Sequence, residues 1–478
     1  MELYVSEFSR YVIALLIILY TYECFAVFRY ETEEERSGIY LRQNILMFAL
    51  HFSCFLVICF ETGDITYLFF YAFQQIVLYA VVALYRMVYP DGNRLLVNNM
   101  CTLLSISFVI LTRLDFSKAI RQFIIVMGSL AIALIIPYFV HKFKFIKNLK
   151  WLYALVGIAA LSVVMILGQT TYGSKLSYSI AGITFQPSEF VKILFVFFVA
   201  SALYQSSGFF EVFTTAVVAA AHVIVLVISK DLGSALIFFV VYVLMVFVAS
   251  RNFLYLLAGA AGGSGAAFIA WQVFTHVQVR VQAWKDPWSV IDAEGFQITQ
   301  SLFAISSGGP FGLGLFKGTP GAIPLVTTDF IFSAIAEELG IVFVVCLILI
   351  CVSCFIMFMR IASGIYDRFY QLTAFGLGVT YIFQVFLTIG GGTKFIPLTG
   401  VTLPLISYGG SSVLTTLVMF STAEGLCIIG QEEEQRRREQ ARKRKKKRIT
   451  AKHVPEGAGR LKEDMALEDA AGEEIEDE

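Results

Sequence analysis

Carboxylates at the edges of long apolar runs are the first candidates for chemistry in this chain. Residues 327–340 include Thr327-Thr328-Asp329-Phe330-Ile331-Phe332 and, after a short apolar stretch, Glu337-Glu338-Leu339-Gly340. Asp329 stands where a polar loop gives way to an apolar run. That predicts a place at a membrane surface, on the first turn of a helix. A carboxylate there can act as a general base toward a hydroxyl, and it can equally serve as a helix cap. Glu337 and Glu338 follow deeper in the same run. A rise of about 1.5 Å per residue puts Glu338 roughly 13 Å below Asp329, so both are assigned to packing polarity or cavity shape.

Further charges sit at the same depth. Gln186-Pro187-Ser188-Glu189-Phe190-Val191-Lys192 opens an apolar run with Pro in its first turn. Glu189 and Lys192 share one helical face, as a cavity pair or as a self-neutralising ion pair. Asp231 follows Lys230 at the start of another run, where it can cap the helix. Lys175, Lys192, Lys230, Arg280, Lys285 and Lys394 all fall on what is expected to be one membrane face. A gathering of cations there suits an anionic ligand.

These residues need apolar helices to hold them. Hydrophobic residues make up 58% of the 478, and mean hydropathy is +0.75. Repeated apolar runs of about 20 residues indicate a polytopic helical membrane protein and exclude a soluble globular one. Thirteen spans are expected, at roughly 8–28, 43–61, 66–89, 97–113, 118–140, 150–168, 187–204, 211–229, 231–249, 253–273, 329–358, 369–390 and 403–429. Ten Lys or Arg in 436–448 put the C-terminus in the cytoplasm by the positive-inside rule. An odd span count then puts the N-terminus outside. The first apolar run lacks a basic leader and a cleavage site, so it reads as a retained span. The eight cysteines lie in or beside apolar runs, which suggests no disulfide framework, and no Cys/His cluster has zinc spacing.

Loop 274–328 is the one long polar stretch between spans. Within it, residues 295–306 have amphipathic spacing and predict a short helix lying on the membrane surface. The Gly-rich run from Ser306 to Gly318 matches no phosphate-loop pattern and reads as a flexible loop near a ligand. Residues 390–412 carry Gly and Pro at membrane depth, which implies broken or re-entrant backbone lining a cavity. Beyond 430, a basic run suited to anionic lipid headgroups rather than nucleic acid precedes an acidic, disordered tail from Glu463 to Glu478.

Taken together, these stretches resemble the SEDS family of shape, elongation, division and sporulation proteins (FtsW, RodA and SpoVE among them). The matching pieces are Gln186-Pro187-Ser188-Glu189-Phe190 with Lys192, Asp231-Leu232-Gly233, Gln300-Ser301 through Ser307-Gly308-Gly309, and Gly312-Leu313-Gly314-Leu315. They continue with Thr328-Asp329-Phe330-Ile331-Phe332, Glu337-Glu338-Leu339-Gly340, and Leu403-Pro404 with Ser407-Tyr408-Gly409-Gly410-Ser411. The resemblance implies a ten-helix core over 96–430 with an outer loop at 274–328. About three extra N-terminal helices over 1–95 precede it, and a cytoplasmic tail over 431–478 follows. The chain departs from the family at Thr327, where a His is usual, at Leu325, often a Glu, and at Lys230, usually a Pro. Around 175–177 only Lys175 is basic.

The resemblance further implies a peptidoglycan glycosyltransferase in the cytoplasmic membrane of a bacterium. It would polymerise lipid II at the outer face, release undecaprenyl diphosphate, and partner a class B penicillin-binding protein. The family's essential aspartate falls on Asp329. Lys175, Glu189, Lys192, Lys230, Asp231, Arg280, Lys285, Gln300, Ser301, Lys394, Ser407 and Ser411 are the expected substrate-binding residues. The leaving diphosphate calls for protein cations or a divalent ion such as Mg or Mn, and no organic cofactor is implied. Two other classes fit a polytopic chain: a lipid II flippase, and a non-enzymatic scaffold of the cell-wall machinery.

Overall fold

The computed structural model describes residues 2–452 apart from 31, 172, 173, 181 and 182. Fifteen α-helices appear among them. They are α1 Glu2–Ala26, α2 Glu33–Thr62, α3 Thr66–Val88, α4 Arg94–Leu114, α5 Phe116–Lys142, α6 Lys150–Leu167, α7 Pro187–Leu203 and α8 Phe209–Ile228. They continue with α9 Leu232–Ser250, α10 Phe253–Val273, α11 Thr275–Lys285, α12 Phe296–Gly308, α13 Ile331–Gly364, α14 Arg368–Gly392 and α15 Gly410–Lys452. Twelve of the described helices are long and apolar enough to cross a membrane. The expected span 187–204 corresponds to α7, which has 17 residues.

The chain divides into two compact units, Met1–Ile428 and Ile429–Glu478. In the second, the charged part of α15 is solvent-exposed over 434–445. The acidic segment 463–478 lies outside the described residues.

In the first unit, α4 is the central post. Its apolar and small polar side chains are buried from Leu95 to Thr112. It packs against α2, α3, α5 and α13, and α1 packs on α2 and α13. The three N-terminal helices are therefore bonded into the core. Tyr20 on α1 donates to Asn99 Oδ1 at 2.9 Å, and Asn99 Nδ2 donates to Ser353 on α13 at 3.2 Å. Arg42 on α2 grips Glu23 on α1 through two bonds, at 2.7 and 3.0 Å. The neutral buried bonds of Asn99 contribute about 0.5–1.5 kcal/mol each, while the half-exposed Arg42 keeps its pair with Glu23 partly screened by solvent.

A small antiparallel sheet, β1 Gln169–Thr171, β2 Ser174–Ile180 and β3 Ile183–Phe185 in that order, adds to the helical architecture. Thr170 pairs with Lys175, and Ser179 with Thr184. Ser, Thr, Tyr and Ile in quick alternation suit strands better than a helix between α6 and α7.

Helix α12 covers the segment expected to form a short amphipathic helix, and one face of it packs on α13, with Ile298, Thr299, Ser301 and Ala304 buried. One loop expectation is corrected. The Gly-rich run beyond it is pinned rather than flexible. Helix α13 breaks at Gly340 (φ 88°), and the run bonds to the broken backbone on both sides. Leu313 and Gly314 donate to the carbonyls of Glu337 and Glu338, while Ile341 and Val342 donate to those of Gly309 and Pro310. A Cβ at Gly312 (φ 78°) would lie 2.2 Å from the Glu338 carbonyl oxygen, so only Gly fits this approach. Glu337 and Glu338 complete the clasp. Thr319 N–H donates to Glu337, Phe316 N–H to Glu338, and Arg113 on α4 pairs with Glu338 at 2.8 Å.

Candidate active site

A cavity of about 880 Å³ opens at one end of the bundle. Its walls come from the N-terminal part of α5, the turn before α9, helices α11 and α12, and the segments 325–329 and 391–412. The last of these is the expected broken backbone. After α14 ends at Gly392 the chain stays non-helical until α15, with Lys394, Gly400 and Leu405 at positive φ.

Asp329 lies in this wall, and its position corrects an expectation. It is in the turn before α13, not in the helix's first turn, and the helix's N-cap is Phe330, with no side-chain cap bond. The turn closes on Leu325, whose carbonyl accepts from the amides of Thr328 and Asp329. It is pinned from outside by Ser407, which donates to the Thr328 carbonyl, and by Tyr408 N–H, which donates to that of Thr327 at 2.8 Å. Lys118 on α5 reaches the Thr327 hydroxyl at 3.2 Å. Asp329 is therefore held by its backbone, leaving its carboxylate to the cavity. Burial pushes that carboxyl up to about 6, opposed by a bond from Thr328 and by the charge of Arg280. Burial is the largest of these effects on its ionisation.

Arg280 on α11 donates from Nη1 to the carbonyls of Leu398 and Thr399, at 3.1 and 3.2 Å. Its other nitrogen comes to 4.0 Å from where a Cβ on Gly400 would stand; Asp329 Oδ2 comes to 3.6 Å of the same point. Trp284, one turn on, donates to the Lys394 carbonyl at 3.2 Å and so ties α11 to the loop. Burial lowers the Arg280 guanidinium, and Asp329 and Asp231 pull it back up.

Of the expected residues, Asp329, Lys230, Asp231, Arg280, Lys394 and Ser411 line the cavity. Asp231 also caps α9, accepting from Ser234 N–H at 3.1 Å, and its other oxygen accepts from Ser188 at 2.9 Å. Ser411 accepts from Gln186 N–H at 2.9 Å.

Others lie behind the wall. Glu189 and Lys192 were expected to face the cavity, but both are buried and pair with each other at 2.9 Å. Lys192 also donates to Gln384 at 2.6 Å, and Gln384 donates to the carbonyl of Thr402, a cavity residue. The pair thus braces the wall. Ser301 joins α12 to Ser333 and to the Gly392 carbonyl, at 2.6 and 2.7 Å. Ser407 anchors the Asp329 turn as above. Gln300 is outside the lining, and the Lys285 ammonium stands 5.8 Å over the Trp271 ring. Lys175 pairs through its backbone in β2, while its side chain lies outside the described residues.

The cavity also recruits Arg121, Glu294, Gln297, Thr328 and Tyr408, none of which was singled out as a site residue. Arg121 was hidden inside an apolar span. Its signal was Lys118 three residues earlier, since two cations on one helical face beside a loop mark a polar stripe. Among the described residues no three His, Cys, Asp or Glu side chains gather where they could hold a metal ion. The Asp231 oxygens are already bonded, so this donor set does not fit a protein-held divalent cation.

This is a polytopic helical membrane protein whose end-on cavity sets Asp329, Asp231 and Glu294 beside the cations Arg121, Lys230, Arg280 and Lys394. The family described as Cell cycle protein, that of FtsW, RodA and SpoVE, matches residues 93–424, and the chain belongs to it. The peptidoglycan glycosyltransferase RodA of Mycobacterium tuberculosis is 34% identical over 62% of this chain and 67% of its own length. The probable peptidoglycan glycosyltransferase FtsW of Bacillus subtilis is 30% identical over 62% and 78%. Among solved structures, a chain of a peptidoglycan synthase complex superposes with a TM-score of 0.60 at 23% identity, over 71% of this chain and 98% of that one. The rod shape determining protein RodA of Thermus thermophilus superposes at 0.55, also at 23% identity, over 70% and 96%. The fold is thus shared with both. The family match begins at the foot of α4 and omits α1–α3.

Proposed function

We propose that this chain is a peptidoglycan glycosyltransferase that polymerises lipid II into glycan strands at the outer face of a bacterial cytoplasmic membrane. The observation that carries the reading is the placing of Asp329 and Arg280 on one cavity wall, with Lys230, Lys394 and Arg121 around the same space. Family membership and the relatives' names support it.

The reaction joins a sugar hydroxyl to an anomeric carbon and expels a polyprenyl diphosphate. An α-linked diphosphate giving a β-1,4 bond requires inversion, hence direct displacement. The hydroxyl oxygen forms the new bond as its proton passes to Asp329, whose acidity near 6 suits a base at neutral pH. The bond from the anomeric carbon to the diphosphate breaks, and the leaving group takes the electron pair. Arg280, Lys230, Lys394 and Arg121 supply the countercharge, in positions set before the substrate arrives. A class B penicillin-binding protein is the partner for crosslinking.

The test is polymerisation of lipid II by the purified chain, alone and with its partner, read as glycan strands on a gel. Strands from the wild type and none from Asp329→Asn support the proposal. Translocation of lipid II without polymer would make the chain a flippase, and neither activity would leave a scaffold.

A further inference from the structure

The loop that clasps the Gly340 break is held by two sets of residues, and one set lies outside the family match. Arg113, Glu337 and Glu338 come from α4 and α13, as above. The other set comes from α1 and α2. Arg10 on α1 donates from Nη1 to the Gly312 carbonyl at 3.4 Å, and the neighbouring Tyr11 ring lies 5.3 Å from that of Phe311. Glu7, one turn before Arg10, pairs with its guanidinium at 2.8 Å. Glu61, in the last turn of α2, pairs with Lys317 at 3.0 Å. Both helices precede residue 93, where the family match begins. None of these residues lines the large cavity, so whatever they do for the reaction they do through others.

The grip matters because of the loop's backbone. Gly309, Gly312, Gly314 and Phe316 all have positive φ. Phe316, at 68°, stands where a residue with a Cβ is strained, and such backbone persists only where its surroundings fix it. The loop also joins two parts of the cavity wall. Before it, α12 carries Gln297 and Ile298; after it comes the turn 325–329, closed on a Leu325 that is itself at φ 58°. Ile298 and Ala304 of α12 pack with Ile323 and with Phe330, the residue next to Asp329. Loop, α12 and turn therefore form one packed body, and α1 and α2 hold it at the loop.

We propose that Arg10 and Glu61 are positioning residues for Asp329: the amino-terminal helices fix the 309–318 loop and, through it, the turn that presents the carboxylate. The inference rests on Asp329 being the base. It gives α1 and α2 a part in the reaction although they touch neither substrate nor cavity. A wall that must hold a base in place before substrate arrives gains from each added restraint, because a small misplacement of a reacting group is costly in rate.

Hydrogen exchange and lipid II polymerisation by the purified full chain test this, in Arg10→Gln, in Glu61→Gln and in the exchanged pair Glu61→Lys with Lys317→Glu, all below their melting temperatures. In either single variant the amides of Leu313 and Gly314, and those of Thr328 and Asp329, should exchange faster. At unchanged KM, kcat should fall roughly two- to thirtyfold, the range carried by coupling through packed elements. The rise of turnover with pH, centred at about 6, should move to lower pH in Glu61→Gln, because a loosened turn admits water to Asp329 and burial is what raises it. The exchanged pair should restore exchange, kcat and pH profile towards the wild type. Arg42→Gln, which parts α1 from α2 at their other end, should change none of them. Faster exchange confined to 309–318, a normal kcat in both single variants, or a pH profile that stays in place while kcat falls would overturn the proposal. An active Asp329→Asn would instead end the reading of Asp329 as the base, and exchange at 328–329 would still decide whether α1 and α2 hold the turn.

Discussion

Asp329 and Arg280 face each other across Gly400, whose missing side chain leaves the space between them: a Cβ there would lie 3.6 Å from the Asp329 carboxylate and 4.0 Å from the guanidinium. The two come from segments about 50 residues apart and meet only because the 393–409 backbone passes between them. The proposed base and its countercharge are therefore set by one loop.

Asp329→Asn should lower polymerisation by about 10² or more, the scale of losing a general base. Stability separates this from a capping role. The folded carboxyl is raised from 3.8 to about 6, so its contribution to stability is present below about 4 and lost as pH rises through about 6. At neutral pH the ionised group is a cost, and the amide should not lower the melting temperature. A clear drop in melting temperature would return Asp329 to a structural role.

The pH profile follows from the same burial. Turnover should climb as pH rises through about 6 and then level off. Arg280→Ala removes a charge that holds Asp329 down, so the rising limb should move to higher pH and the plateau should fall. A profile that falls in height without moving would separate Arg280 from the acidity of Asp329.

Lys192→Ala strands Glu189 in the core, a loss of about 3–5 kcal/mol. The double change to Glu189→Gln and Lys192→Met should recover much of it. Thermal melts of the purified proteins measure both, and equal losses in the single and double variants would contradict a bracing pair.

Gly312→Ala puts a methyl group against the Glu338 carbonyl. It should lower both stability and turnover by separating the 309–314 loop from the Gly340 break. Gly321→Ala, in open space on the same loop, should do neither. Melting and turnover of the pair are the measurement.

Thirteen crossings would put the chain's two ends on opposite sides. Cysteines introduced at 3 and 440 in a cysteine-depleted background should label from opposite faces of sealed vesicles. Labelling of both from one face would exclude an odd count.

Much of this was legible because the bilayer imposes simple rules. Apolar runs located the helices, although α2 begins ten residues before its expected span and α15 seven residues after its own, and the step from polar to apolar at Asp329 marked the site. Lys230, Arg280 and Lys394 could be seen because charges at loop edges have no lipid to hide in. Glu189 and Lys192 misled because i, i+3 spacing says that two groups share a face, not what that face meets; Gln384 on α14 decided it. The clasp at Gly340 depends on backbone groups on both sides, which side-chain periodicity does not report.

The joining of α1 to α13 also has a meaning in time. Ser353, which Asn99 needs as a partner, is made 254 residues after it. At about 5–20 residues per second that is a wait on the order of tens of seconds. Meanwhile Tyr20 can already close on Asn99, and Glu23 on Arg42. The amino-terminal helices can thus satisfy one another in the nascent chain and hold the seat that α13 later takes.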